Sequence, residues 1–245
     1  MASRDDILME LGLSPTWRLR ADAARRVQAD SRASTTEIRD EIPDAAISDV
    51  DVRRARIGTL DWPTLYDDIR ACTACGLCRT RKRAVPGVGD VRADWLFVGE
   101  APGAEEDAQG EPFVGQAGKL LDSMLAAIGL ARGESVYIAN VLKCRPPGNR
   151  TPEPLEVDAC KPYLDRQIEM IEPKLIVALG KSAATTLLGT EASIASLRGR
   201  LHRYGNVPLL VTYHPAYLLR NLPDKAKAWE DLLLARRTVR AASAS

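Results

Sequence analysis

Long apolar runs are missing from this sequence: nowhere among its 245 residues do 18 apolar residues follow one another, so no segment reads as a membrane-spanning helix. The opening residues Met1-Ala2-Ser3-Arg4-Asp5-Asp6 are polar and lack the apolar stretch of a secretory signal. The chain is therefore expected to be soluble and cytoplasmic, with no membrane partner. A strong charge of either sign is also missing. Lys and Arg number 34 against 33 Asp and Glu, a net of +1, and that balance by itself argues for no partner. Histidine and phenylalanine are scarce, at two each. The five cysteines are not expected to form structural disulfides in a reducing cytoplasm, so clustered thiols point first to metal binding or catalysis.

What is present fits an ordinary globular protein, with 45% hydrophobic and 27% charged residues. The length suits one substantial core plus an appendage. Residues 1–61 hold 10 Lys and Arg against 12 Asp and Glu, and only Gly12 and Gly58 as glycines. Apart from a short helical pattern from Ile7 to Leu13, they read as a loosely ordered N-terminal extension. Residues 62–245 carry 24 basic against 21 acidic residues, a mild basic excess that gives weak support for nucleic acid.

From Trp62 onward, apolar runs alternate with helical patterns, the signature of an α/β sheet with parallel strands. The strands are expected at Trp95–Val98, Ser135–Val141, Leu175–Leu179 and Leu209–Thr212, with helices over Ala117–Leu130, Pro154–Glu172, a segment opening at Gly180-Lys181-Ser182, and Pro223–Arg240. The predicted fold is a three-layer α/β/α domain around a central, mainly parallel four-stranded sheet. Its Gly-, Pro-, Asn- and His-rich loops all follow strand C-termini, where open α/β sheets build ligand sites. One crevice could collect them all.

Cys72 and Cys75 are spaced C-x2-C, and Cys144 and Cys160 form a second pair. Four thiolates of this kind select zinc or an iron–sulfur cluster, and spacing alone does not separate the two. Cys78 is left over and reads as a small buried hydrophobe.

Taken together, Cys72-x2-Cys75, Gly99-Glu100-Ala101-Pro102-Gly103, Glu111-Pro112-Phe113-Val114-Gly115, Asn140-Val-Leu-Lys-Cys144-Arg-Pro-Pro and His214-Pro215-Ala216-Tyr217-Leu218 resemble the family-4 uracil-DNA glycosylases. The resemblance runs from Trp62 to Arg237 and leaves residues 1–61 outside it. The related branch that cross-links to DNA carries an Arg-rich insertion after the first motif, and this chain has none.

The resemblance implies a [4Fe-4S] cluster on Cys72, Cys75, Cys144 and Cys160. It also implies a monofunctional glycosylase of base excision repair, which hydrolyses the N-glycosidic bond of deoxyuridine in single- or double-stranded DNA and leaves an abasic site. A monomer is expected, and residues 1–61 could dock a replication or repair protein.

The chemistry then assigns roles. An extruded base needs a stacking platform, edge-reading hydrogen bonds and charge stabilisation. By resemblance Phe113 is the platform, and Gly99 with Glu100 lines the uracil pocket. A carboxamide at Asn140 would match uracil O4 and N3–H and reject cytosine. A neutral His214 would donate toward O2, stabilising the leaving base. Glu106 is by resemblance the better water-positioning residue, although Glu105, Glu106 and Asp107 also read as an acidic run or a helix start. Leu218 would wedge into the base stack, while Asn149, Arg150, Lys181, Ser182 and Arg220 would clamp phosphates. Gly103 would leave space beside the base. The rivals are a glycosylase for another damaged base, a non-catalytic iron–sulfur DNA-binding module, and a zinc-stapled enzyme acting on small molecules.

Overall fold

The structure, a computed structural model, describes residues 49–243. The helical pattern expected at Ile7–Leu13 lies outside them. Chain order is helix α1 (Asp49–Ile57), α2 (Trp62–Ala71), strand β1 (Val88–Gly89), β2 (Trp95–Gly99), α3 (Ala104–Gln109), α4 (Gln116–Ala127) and β3 (Val136–Asn140). There follow α5 (Pro154–Ile171), β4 (Leu175–Leu179), α6 (Lys181–Leu188), α7 (Ile194–Leu197), β5 (Leu201–Tyr204), β6 (Val207–Thr212), α8 (Pro215–Leu218) and α9 (Asp224–Ser243).

The strands form one sheet in the order β1-β3-β2-β4-β6-β5. The four expected strands are its centre and run parallel. The expected four-stranded sheet is extended by two antiparallel edges, β1 against β3 and β5 against β6. Both escaped the sequence pattern, because β1 is two residues long and Leu201-His202-Arg203-Tyr204 is too polar to read as an apolar run. In the centre, β2, β3 and β4 are buried at every position, as parallel strands covered on both faces must be.

Alternate strand residues then sort into two cores. Leu96, Val98, Ala139, Ile176, Ala178 and Val211 pack with Leu65 and Ile69 of α2, Tyr163 and Leu164 of α5, and Leu187 of α6. Phe97, Ile138, Val177 and Leu210 pack with Leu121 and Leu125 of α4 and with Leu232 and Val239 of α9. This is the three-layer α/β/α arrangement. No helix among the described residues is long and apolar enough to cross a membrane.

Local signals start the helices where the chain needs them. Asp61 caps α2 by accepting from the Thr64 N–H at 3.1 Å, with proline in the first turn. Glu156 reaches back to the Glu153 N–H at 2.9 Å to open α5.

The domain border differs from the expected 61/62 boundary. The compact unit runs Ile47–Ser245, and α1 belongs to it: Ile57 is fully buried and Arg53 donates to the Ala159 carbonyl of α5 at 2.8 Å.

Candidate active site

The last parallel rungs pair Gly99 with Asn140 and Leu179 with Thr212. They bring the ends of β2, β3, β4 and β6 to one edge, where a crevice of about 470 Å³ opens. Glu100, Glu106, Phe113, Asn140, Asn149, Arg150, Lys181, Ser182, His214 and Arg220 all line it, although they are scattered over most of the chain.

Asn140 is 2% exposed, and its Oδ1 is the one buried side-chain polar atom without a hydrogen-bond partner among the described residues. Such an orphan costs about 1–3 kcal/mol, so an acceptor held this way at a crevice wall is built for a donor brought by a ligand. Gly99 stands behind it rather than in the crevice. A Cβ there would lie 2.4 Å from Asn140 Oδ1 and 2.6 Å from Phe113 Cζ, so glycine lets amide and ring sit side by side.

Phe113 is 5% exposed and sits at φ 56°, a left-handed conformation that costs a non-glycine residue about 1–2 kcal/mol. Its surroundings hold it there. Arg132 donates to the Pro112 carbonyl at 3.0 Å and to the Phe113 carbonyl at 2.5 Å. On α4, a Cβ on Gly118 would collide with the Phe113 carbonyl at 1.7 Å, so only glycine admits this loop.

Glu106 completes the loop. Its carboxylate accepts from the N–H groups of Gly103 at 3.0 Å, Val114 at 3.0 Å and Gly115 at 3.1 Å. The acidic run is thus a helix start, α3, with Glu106 tying two loops together. A Cβ on Gly103 would lie 2.6 Å from the Glu106 carboxylate, so glycine there admits that carboxylate while still lining the crevice.

The His214 ring stacks beside Phe113, with centroids 5.5 Å apart. Burial, reinforced by the Arg220 charge and opposed by Glu106, pushes its pKa down to about 4. The ring is therefore neutral at pH 7. Its Nδ1 accepts from the Ala216 N–H at 3.1 Å, which leaves the proton on Nε2 as a donor. Glu100 is raised from its ordinary value by burial, an effect opposed by a hydrogen bond from Ser182.

The segment that carries this sheet edge matches a known family. The model of the Uracil DNA glycosylase superfamily covers residues 86–233. The chain belongs to this superfamily. The chain is 51% identical over 160 residues to the type-4 uracil-DNA glycosylase of Archaeoglobus fulgidus, covering 62% of this chain and 80% of that protein. It is 47% identical over 161 residues to the type-4 uracil-DNA glycosylase of Thermotoga maritima, covering 65% and 83%. The type-5 uracil-DNA glycosylase of Thermus thermophilus is 32% identical over 185 residues, covering 60% and 84%.

The structure corrects one expected contact of this superfamily member and qualifies others. Leu218 is not a wedge: it is 1% exposed and packs into the second core, because α8 turns it inward. Leu219, at 41% exposure, faces outward instead. Arg150 lines the crevice but is ion-paired with Glu156 at 2.6 Å and Glu153 at 3.1 Å. Lys181 stands 3.6 Å from Glu191, and Asn149 Oδ1 accepts from Arg145 at 2.7 Å.

Apart from the crevice, Cys72, Cys75, Cys144 and Cys160 line one small cavity, and Cys78 joins them. The thiols surround this space without converging on a point, and among the described residues no three His, Cys, Asp or Glu side chains form a single-ion group. Donors reach the sulfurs: the Arg81 guanidinium to Cys144 at 2.9 Å, the Lys143 N–H to Cys160 at 3.2 Å, and Arg53 to Cys72 at 3.7 Å. Burial pushes the Cys160 thiol up to about 12. Lys143, 1% exposed, links the two sites, since its ammonium donates to the Asn140 carbonyl at 2.8 Å and to Gln167 at 2.7 Å.

Sequence reasoning missed Arg53, Arg81, Arg132 and Lys143. Each acts across the fold, and only the lysine lies inside a recognisable motif.

Proposed function

We propose that the crevice takes a uracil rotated out of DNA and that its residues hydrolyse the N-glycosidic bond, leaving an abasic site in single- or double-stranded DNA. The observation that carries this reading is the orphan Oδ1 of Asn140 beside Phe113. Oδ1 accepts from uracil N3–H while the amide nitrogen donates to O4. Cytosine reverses that pattern and leaves two buried groups opposed. Phe113 supplies the stacking face that offsets part of the cost of extrusion, a few kcal/mol.

As the bond breaks, negative charge grows on O2. The Nε2–H of neutral His214 donates to it without a prior proton transfer, a contribution of about 3 kcal/mol. A water must stand on the opposite face of the sugar. Glu106 has three of its acceptor positions taken by backbone N–H groups, so its larger role is to hold the Phe113 loop. Glu100, with one hydrogen bond from Ser182, is the carboxylate more open to a water.

The four-sulfur donor set with hydrogen-bonded sulfurs fits an iron–sulfur cluster better than a single ion. Cys72, Cys75, Cys144 and Cys160 would hold it, and when bound it would supply a cross-link, tying α2, the end of β3 and α5 together. Buried thiols resist deprotonation, so loading releases protons and stabilises the fold. We read the protein as a cytoplasmic monomer whose partner is uracil-containing DNA, and we assign to the N-terminal extension ahead of α1 the docking of a replication or repair protein.

The test is incubation with a labelled single-uracil oligonucleotide followed by alkali, with the visible spectrum of the same sample. Cleavage at uracil alone by a brown protein supports both parts. A brown, inert protein overturns the enzyme reading, and a colourless, active one overturns the cluster.

A further inference from the structure

Two of the crevice cations already have a carboxylate beside them, Arg150 with Glu156 at 2.6 Å and Lys181 with Glu191 at 3.6 Å. The segment leading away from the cysteine cavity is different. Arg79, Arg81, Lys82 and Arg83 fall within five residues. Among the described residues, no carboxylate forms an ion pair with Arg79, Lys82 or Arg83.

This segment is pinned. Asp107, 2% exposed, accepts from the backbone N–H groups of Lys82 at 2.8 Å and Arg83 at 3.4 Å, and the Val85 N–H donates to the Lys143 carbonyl at 2.8 Å. The Arg81 guanidinium bridges Cys144 Sγ and the Arg70 carbonyl. Between these groups lies an open basin of about 540 Å³, bordered by Arg70, Arg81, Lys82 and Arg83 and by no carboxylate.

Its position relative to the crevice is set by α3. Gly103 and Glu106 at the start of that helix line the crevice, and Gln109 and Gly110 at its end line the basin. Six residues of helix span about 9 Å, a distance that a strand covers within a few nucleotides. We propose that the basin is a second DNA site, holding backbone phosphates within a few nucleotides of the extruded uridine. This rests on the uracil reading of the crevice and adds to it a fixed path for the strand. A free phosphate or a nucleotide would share the same chemistry.

The experiment measures affinity against salt for single strands carrying a non-hydrolysable 2′-fluoro-deoxyuridine, with either one or about six nucleotides on each side. Wild type should gain affinity from the longer flanks. In the K82A/R83A variant that gain should shrink about tenfold, and the slope of log affinity against log salt should fall by about 1.4, or about 0.7 per lost phosphate contact. The charge-reversed K82E/R83E variant should lose more at an unchanged melting temperature.

The charge-matched control is R237A/R240A at the far end of α9. There Ser243 meets Lys174 at the start of β4, at the opposite edge of the sheet, and its slope should equal wild type. An unchanged slope in K82A/R83A overturns the proposal. So does displacement of inorganic phosphate or pyrophosphate by these substitutions with no effect on DNA. Wild-type excision of ordinary uracil from the same strands is scored separately, and its absence overturns the glycosylase reading rather than the basin.

Discussion

The crevice and the cysteine cavity lie at opposite ends of the stretch from Asn140 to Cys144, and they treat their polar groups in opposite ways. In the crevice, Asn140 Oδ1 is left without a donor, His214 presents a free Nε2–H, and Arg220 points to solvent without an ion pair among the described residues. In the cavity, three of the sulfurs already receive a donor from Arg81, Arg53 or the Lys143 backbone. An orphan costs stability until a ligand satisfies it, so it belongs where ligands come and go. A satisfied sulfur belongs where the bound group stays.

Substitutions can break this contrast. The largest effect is expected from Cys160→Ala, which should bleach the protein and destabilise it by several kcal/mol, read as a loss of visible absorbance and a lower melting temperature. Leu218→Ala should cost about 2–5 kcal/mol of stability, whereas Leu219→Ala should leave the melting temperature unchanged and weaken only duplex substrates. Equal melting temperatures for the two would contradict the burial of Leu218.

Asn140→Ala should behave as the reverse of Cys160→Ala, with stability retained or raised because the orphan is gone, while uracil excision falls about 10²–10³-fold. Single-turnover rates alongside thermal melts check this. Glu106→Gln places an amide donor or a weaker acceptor against three backbone N–H groups and should cost about 1–3 kcal/mol, accompanied by weaker substrate binding as the Phe113 loop loosens.

The smallest effect concerns pH. The His214 pKa is depressed, so the folded state holds the ring neutral above about 4, and the step usual for histidine near 6.5 should be absent. Protonation near 4 would put a proton on Nδ1 against the Ala216 N–H and weaken the α8 cap. With two histidines in the chain, ring-proton NMR can follow each one. Removing the Arg220 charge with Arg220→Ala should move the His214 midpoint upward, and a downward or null shift would contradict the assigned cause.

Much of this molecule could be read before any coordinates. The buried strands announce themselves as Trp95-Leu96-Phe97-Val98 or Leu175-Ile-Val-Ala-Leu179, because a strand covered on both faces has to be apolar throughout. The crevice follows from where those strands end, and the cysteine pairs from their spacing. The edge strands did not show, because Val88–Gly89 is too short for periodicity and an edge tolerates polar residues. The outward wedge at Leu218 failed for a related reason: the chain alternates Tyr217-Leu218-Leu219, and only the rotation of α8 against α4 decides which leucine the core takes.

Pattern and motif therefore determined the layer architecture and the family, and they put forward Phe113, Asn140, His214 and the four cysteines as candidates that the fold gathers into one crevice and one cavity, since those depend on residue type and local order. The tertiary structure alone decided which charges remain free, that Glu106 binds backbone N–H groups, that Arg132 and Gly118 hold Phe113 in a strained conformation, and that α1 belongs to the domain. These are contacts between residues distant in sequence, and their energies depend on ångström-scale distances that no local pattern encodes.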